Sequence, residues 1–215
     1  MNFEYLTEHW RRVLSLTQDH LVITLLALGL GIVVAIPLGL IAARIPKLTL
    51  SVLSLLGAIY TIPSLAFLAF LIPSLGLGRK PAIVVLAAYA QISLVRNIVA
   101  GLQSVDRSTL EAARGVGMTR WQIAKEIEFP LALPIFVAGL RIATVTTIGL
   151  ATVTAWINAG GLGTLLFDGI SRNYPSEILA GAIAIVVLAL SIDAALRMCE
   201  WVTPASRARR SRSRS

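Results

Sequence analysis

The 215 residues are 56% hydrophobic and 14% charged. A soluble domain averages about 25% charged, so composition points to a membrane protein, and the length suits one bundle of about five spans with no separate soluble domain. The single cysteine, Cys199, excludes an internal disulfide, and its place near the end of an apolar helix reads as a small buried hydrophobe. His9 and His20 lack metal-ligand spacing, so no metal site is expected. The net charge of +8 owes much to the C-terminal tail and bears on orientation rather than on nucleic acid.

Residues 1–19 are polar, with Phe3, Leu6, Trp10, Val13 and Leu14 at helical spacing. This pattern predicts an amphipathic helix at the membrane face. A signal peptide is disfavoured because acids precede the apolar run and no clear small-residue cleavage site follows. Residues 20–202 are read as the membrane domain. Leu21 to Ala43 is free of charge, long enough to cross a ~30 Å core, with Gly29, Gly31, Pro37 and Gly39 available for kinking or close packing. Leu48 to Gly78 is also uncharged but long for one span, and Pro63 and Pro73 are expected to break it. Pro81 to Val105 is the third span and Leu131 to about Trp156 the fourth. Residues 157–177 read as an outer loop, and Ile178 to Trp201 as the fifth span. The glycine-rich 160–163 stretch is no phosphate-binding loop, because neither a preceding strand nor a following Gly-Lys-Ser/Thr is present. Residues 203–215 form a basic Arg/Ser tail, read as held near anionic lipid rather than as an RNA-binding segment.

The one long charged stretch between apolar segments is 106–130. Ser108 with Glu111, and Thr119 with Gln122, are each spaced as a capping box. Gly115 and Gly117 between them predict a helix end and a bend. Two short helices are therefore expected, followed by a new helix that starts at Pro130 and Pro134.

Within this frame Glu111-Ala112-Ala113, Gly117 and Ile127-Glu128-Phe129-Pro130 resemble the EAA loop of ABC importer permeases, with Phe129 where the family has Leu. The string TIPSLAFLAFLIPSLGLG from Thr61 resembles the permeases for osmoprotectant quaternary amines. Gly160-Gly161-Leu162-Gly163 is similar to a motif of that subfamily and of methionine permeases. The resemblance implies an all-α integral membrane protein with about five transmembrane helices, in addition to the N-terminal amphipathic helix. It also implies the non-catalytic permease subunit of an ATP-driven importer for a solute such as glycine betaine or choline. The implied partners are cytoplasmic ATPase subunits, a second permease, identical or related, and an extracytoplasmic substrate-binding protein. No Walker A sequence is present, so ATP and Mg would be bound by the partner ATPase. Glu111, Ala112, Ala113, Gly117 and Met118 would form the ATPase-docking segment, with Gly117 supplying the bend. The alternatives are a permease for another small solute such as methionine, a passive channel, or a membrane scaffold. A membrane enzyme is least favoured, for want of a His, Cys or carboxylate cluster.

Lys and Arg counts set orientation. With the coupling loop, 106–130, inside the cell, twelve lie inside and five outside, although five of the twelve belong to the tail. This predicts an outside N-terminus and a cytoplasmic C-terminus, and the resemblance implies a bacterial inner membrane. Arg96, Arg141 and Asp193 are the deepest ionisable residues, at a similar depth of roughly 12–15 Å. Asp193 is expected to pair with Arg141 or Arg96, with Arg197 one turn away as the rival, in a structural rather than a gating role. Tyr60, Ser64, Tyr89, Asn97, Thr144, Thr147, Trp156 and Asn158 are candidates for the substrate path, since a quaternary ammonium suits aromatic faces.

Overall fold

The structure, a computed structural model, describes residues 4–202 and the side chains of 5–198. The packing expected for Cys199, the place of Phe3 and the tail 203–215 lie outside the described residues. All regular structure among the described residues is helical. The elements are α1 (Glu4–Glu8), α2 (Trp10–Arg44), α3 (Pro46–Thr61), α4 (Ser64–Leu75), α5 (Arg79–Gln103), α6 (Arg107–Gly115), α7 (Arg120–Ile123), α8 (Phe129–Ala151), α9 (Gly163–Ser171) and α10 (Pro175–Val202). A π-helical turn (Ala124–Glu128) joins α7 to α8, and a 3-10 turn (Val153–Ile157) follows α8.

Four helical runs are long and apolar enough to cross a bilayer: Trp10–Arg44, Arg79–Gln103, Arg120–Ala151 and Pro175–Met198. The pair α3 and α4, bent by 91°, makes a fifth when counted as one broken span. The break falls at Pro63, which cannot donate a backbone hydrogen bond and holds the preceding residue out of the α region; Ile62 accordingly has ψ 128°. Pro73, expected to be a second break, instead lies inside α4, and Pro37 lies inside α2 without ending it.

α5 is the central helix, packed on α2, α8, α3 and α4. In lipid, hydrocarbon surrounds the bundle on all sides, so helices associate by close packing and interhelical hydrogen bonds rather than by escape from water. Small residues at the crossings supply that contact. Gly31 of α2 lies against Ala90 and Leu94, and Gly39 against Ile98, while Gly29 faces open space. Gln91 Nε2 donates to the Gly31 carbonyl at 3.0 Å, tying α2 to α5 in parallel. α8 runs antiparallel, with Gly139 under Asn97 and Phe136 over Gly101. Leu25, Val33, Leu50, Phe70 and Leu190 point outward, as a bilayer solvent allows.

Three expectations change. The polar segment 1–19 is not one surface helix: α1 ends at Glu8, and residues 10–19 are the first turns of the 35-residue α2. The loop 157–177 contains a packed helix, α9, whose Leu165 is fully buried. The second short helix of the charged stretch does not stop before Pro130. It continues through the π turn into α8 as one run, Arg120–Ala151. Pro130 explains the turn: its ring would press on the carbonyl four residues back, at Glu126, and the wider π spacing relieves that contact. The Phe129 amide bonds five residues back, to Ala124.

Candidate functional site

The charged stretch is a helical hairpin projecting from the end of the bundle where α2 and α5 stop. Its turn is held by backbone bonds from Gly117 N to the Arg114 carbonyl (3.0 Å) and from Met118 N to the Ala113 carbonyl (3.1 Å). This is the six-to-one, five-to-two arrangement of a Schellman cap. It needs a left-handed residue, and Gly117 supplies it at φ +85°. Gly115 is still helical. The Thr119–Gln122 capping box is present: the Thr119 amide donates to Gln122 Oε1 at 2.8 Å, and the Gln122 amide donates to Thr119 Oγ1 at 3.3 Å. The Ser108–Glu111 box is not. Helix α6 starts two residues earlier with Asp106 at the cap, which leaves Ser108 inside the first turn, and no side chain caps that end.

Glu111, Ala112 and Arg114 are exposed, and Met118 is half-buried. Ala113 is buried against its own chain. Two residues that the sequence pattern does not single out stand out furthest: Val116 is 80% exposed and Trp121 74%. Both are large apolar side chains on a hairpin otherwise rich in charge. Their sequence signal is slight: one valine between two glycines, and one tryptophan after an arginine.

The opposite end is closed. Tyr5 Oη donates to Glu177 Oε1 at 2.9 Å and accepts from Arg12 at 2.8 Å. Arg12 also bonds Glu177 at 2.9 Å and Asp168 at 2.6 Å. Glu177 is fully buried, and its second oxygen has no protein partner. Burial, then the hydrogen bond with Glu177, raises the Tyr5 phenol above its ordinary value, so it remains a donor at neutral pH. His9 stacks on Tyr5 at 4.4 Å. His20 joins α2 to two other elements: its Nδ1 accepts from the Leu162 amide at 3.2 Å, and its Nε2 lies 3.0 Å from the Ile148 carbonyl. Arg79 pairs with Asp19 beside them.

Within the bundle, Asp193 bonds Arg141 at 2.9 Å and Arg197 at 2.8 Å, so the interhelical partner and the rival are both present. The other interhelical possibility, Arg96, is not brought to this pair; its side chain is exposed on α5.

The candidate path residues separate. Tyr60 and Tyr89 meet edge to face at 5.5 Å, and Phe67, not foreseen, lies 6.1 Å from Tyr89. The Tyr89 hydroxyl donates to the Ile62 carbonyl, which the Pro63 break leaves without a helical partner. Tyr60 stays 45% exposed, so the group presents an open aromatic face at the bend between α3 and α4. Ser64 is half-buried in the first turn of α4, while Trp156 and Asn158 are exposed in and just after the 3-10 turn. Thr144 and Thr147 are buried, and their hydroxyls bond back to Leu140 and Ala143 of their own helix. Asn97 likewise bonds Ser93 and is packed on Gly139. All three thus spend a side-chain hydrogen bond on their own helix.

A multi-pass helical bundle, closed at one end and carrying an apolar-tipped hairpin at the other, has the architecture of an importer's transmembrane subunit. The chain belongs to the family of binding-protein-dependent transport system inner membrane components, whose model matches residues 35–200. It is 41% identical over 201 residues, 93% of this chain and 92% of the relative, to the carnitine transport permease protein OpuCB of Listeria monocytogenes. The glycine betaine/carnitine/choline transport system permease protein OpuCB of Bacillus subtilis (strain 168) is also 41% identical, with 93% of each chain covered. In shape it matches a chain of the MetNI methionine ABC transporter in an inward-facing conformation, with a TM-score of 0.80, 23% identity, and 94% and 99% of the two chains covered. The chain is thus a permease subunit of an ABC importer, a multi-pass membrane protein of the transport and not the catalytic class.

Proposed function

We propose that this permease imports osmoprotectant quaternary amines, such as glycine betaine, carnitine or choline. The observation that carries the reading is the 41% identity, over more than nine-tenths of the chain, to permeases named for those solutes. The Tyr60–Tyr89–Phe67 group supports it, because a quaternary ammonium has no N–H to donate and is held by aromatic faces. The hairpin is the coupling element. Its end of the bundle faces the cytoplasm, and the closed end faces out, in accord with the Lys/Arg bias. The N-terminus is then outside and the C-terminus inside. A cytoplasmic ATPase binds ATP and Mg and grips the exposed Val116, Trp121 and Glu111. An external binding protein delivers the solute, and a second permease completes the path.

ATP-driven closure of the ATPases displaces the hairpin. Because α7 runs unbroken through the π turn into α8, the displacement passes directly into a span instead of being absorbed by a loop. Uptake of radiolabelled glycine betaine and choline, set against methionine, in cells expressing the whole system tests the substrate. Accumulation of the amines alone is expected, and methionine uptake would overturn the reading. Gly117→Val forces a β-branched residue into left-handed backbone, and is expected to leave ATP hydrolysis running while uptake is lost. Normal uptake in that variant would remove Gly117 from the mechanism.

A further inference from the structure

Beside the hairpin, a groove of about 300 Å³ opens between α2, α5 and the first half of α8. Every residue lining it is apolar, among them Ile36, Leu40, Leu94, Phe129, Phe136 and Leu140. From Phe129 to Leu140 it follows eleven residues of helix, ~16 Å at ~1.5 Å per residue. That is about half of a ~30 Å hydrocarbon core, the depth of one leaflet.

The groove does not end in apolar surface. Leu40, Phe129 and Phe136 also line a second hollow of about 260 Å³, which adds Arg44, Lys125, Glu128 and Trp121. Arg44 and Glu128 in turn line a third hollow of about 600 Å³ with Arg114 and Arg120. Four cations and one anion therefore surround the mouth of a slot one leaflet deep.

We propose that this groove is a binding site for an anionic phospholipid. One acyl chain lies along α8, and the phosphate sits among Arg44, Lys125 and Arg120. The occupant is argued from charge. A second copy of this chain, inserted in the same sense, would bring the same cations to the same depth, whereas a phosphate complements them. The bound headgroup would join the end of α2 to both arms of the hairpin, since Arg44, Arg114 and Arg120 line one hollow. The inference rests on the chain's being a membrane permease and is independent of which solute it carries.

The test uses the full chain in detergent, titrated with phosphatidylglycerol or with zwitterionic phosphatidylcholine, with bound lipid counted by native mass spectrometry. Retention of phosphatidylglycerol at least tenfold above phosphatidylcholine is expected. Each cation near a membrane phosphate is worth about fivefold in affinity, so R44Q with K125Q should weaken retention about thirtyfold. Ile36→Trp fills the groove from an exposed position and should abolish the retention while all the cations remain. Equal retention of the two lipids, or retention unmoved by both variants, would overturn the site. So would efficient disulfide crosslinking of an Ile36→Cys variant to the second permease, because the groove would then be a subunit interface.

Discussion

Where α2 begins, polar side chains are turned on one another. Arg12 bonds Tyr5, Glu177 and Asp168, and His20 holds Leu162 and Ile148. Where α2 stops, the reverse holds: Val116 and Trp121 are left in the open, and Glu111 and Arg114 point outward. One end turns its polar groups on its own chain, with one oxygen of Glu177 left over, and the other leaves apolar groups exposed. The same polypeptide, in one bundle, thus separates rigidity from recognition. Under the proposed drive by a separate ATPase this division makes mechanical sense. A displacement applied at the hairpin does work on the path only if the far end resists it, and side chains drawn from α1, α2, α9 and α10 supply the resistance.

The first way to break the comparison is to loosen the closed end by sterics. A Cβ on Gly163 would run into the backbone carbonyl of Thr152, which ends the fourth span and cannot rotate aside as a side chain could. Overpacking costs about 1–3 kcal/mol, and an unyielding backbone neighbour places Gly163→Ala near 3. The thermal midpoint of the purified permease should drop further than it does on loss of any charged side chain at this end. An unchanged midpoint would mean that α9 is not rigidly seated.

Loss of charge comes next. Arg12→Met leaves Glu177 buried without its cation. Breaking a buried pair costs about 3–5 kcal/mol, but the Arg12 side chain is 36% exposed and water screens part of the interaction, so about 2 is expected. Thermal unfolding measures it. A loss below about 0.5 kcal/mol would reduce the network to a surface contact of the ordinary kind.

Much of this division is legible in the sequence, and unevenly so. Apolar runs locate the spans because lipid demands them, and the charged stretch locates the hairpin for the same reason. Depth alone narrows the interhelical partner of Asp193 to Arg141 or Arg96, since an intramembrane charge needs a partner at its own level, and the fold selects Arg141. The closed end is hidden, because Tyr5, Arg12, Asp168 and Glu177 are ordinary polar residues in two stretches some 156 and more positions apart. Only the fold brings them together, and so 157–177 reads as a loop when it contains α9. The local bonding of the path candidates is hidden for a different reason. A threonine in a span looks like a pore lining, yet Thr144 and Thr147 bond their own helix, an option that sequence spacing does not reveal.

The smallest expected effect on stability carries the largest one on assembly. Val116→Ser and Trp121→Ser remove apolar groups that the isolated chain leaves in solvent, so stability should move by no more than about 0.5 kcal/mol. An aromatic anchor at the centre of an interface, however, is worth about 2 kcal/mol or more, roughly thirtyfold in affinity. The double variant should therefore melt like the wild type and fail to retain the ATPase through detergent purification. Arg12→Met should do the opposite, melting early while still holding the ATPase. If instead both variants lose the ATPase equally, the closed end is helping to shape the hairpin, and the two ends are one cooperative unit rather than an anchor and a handle.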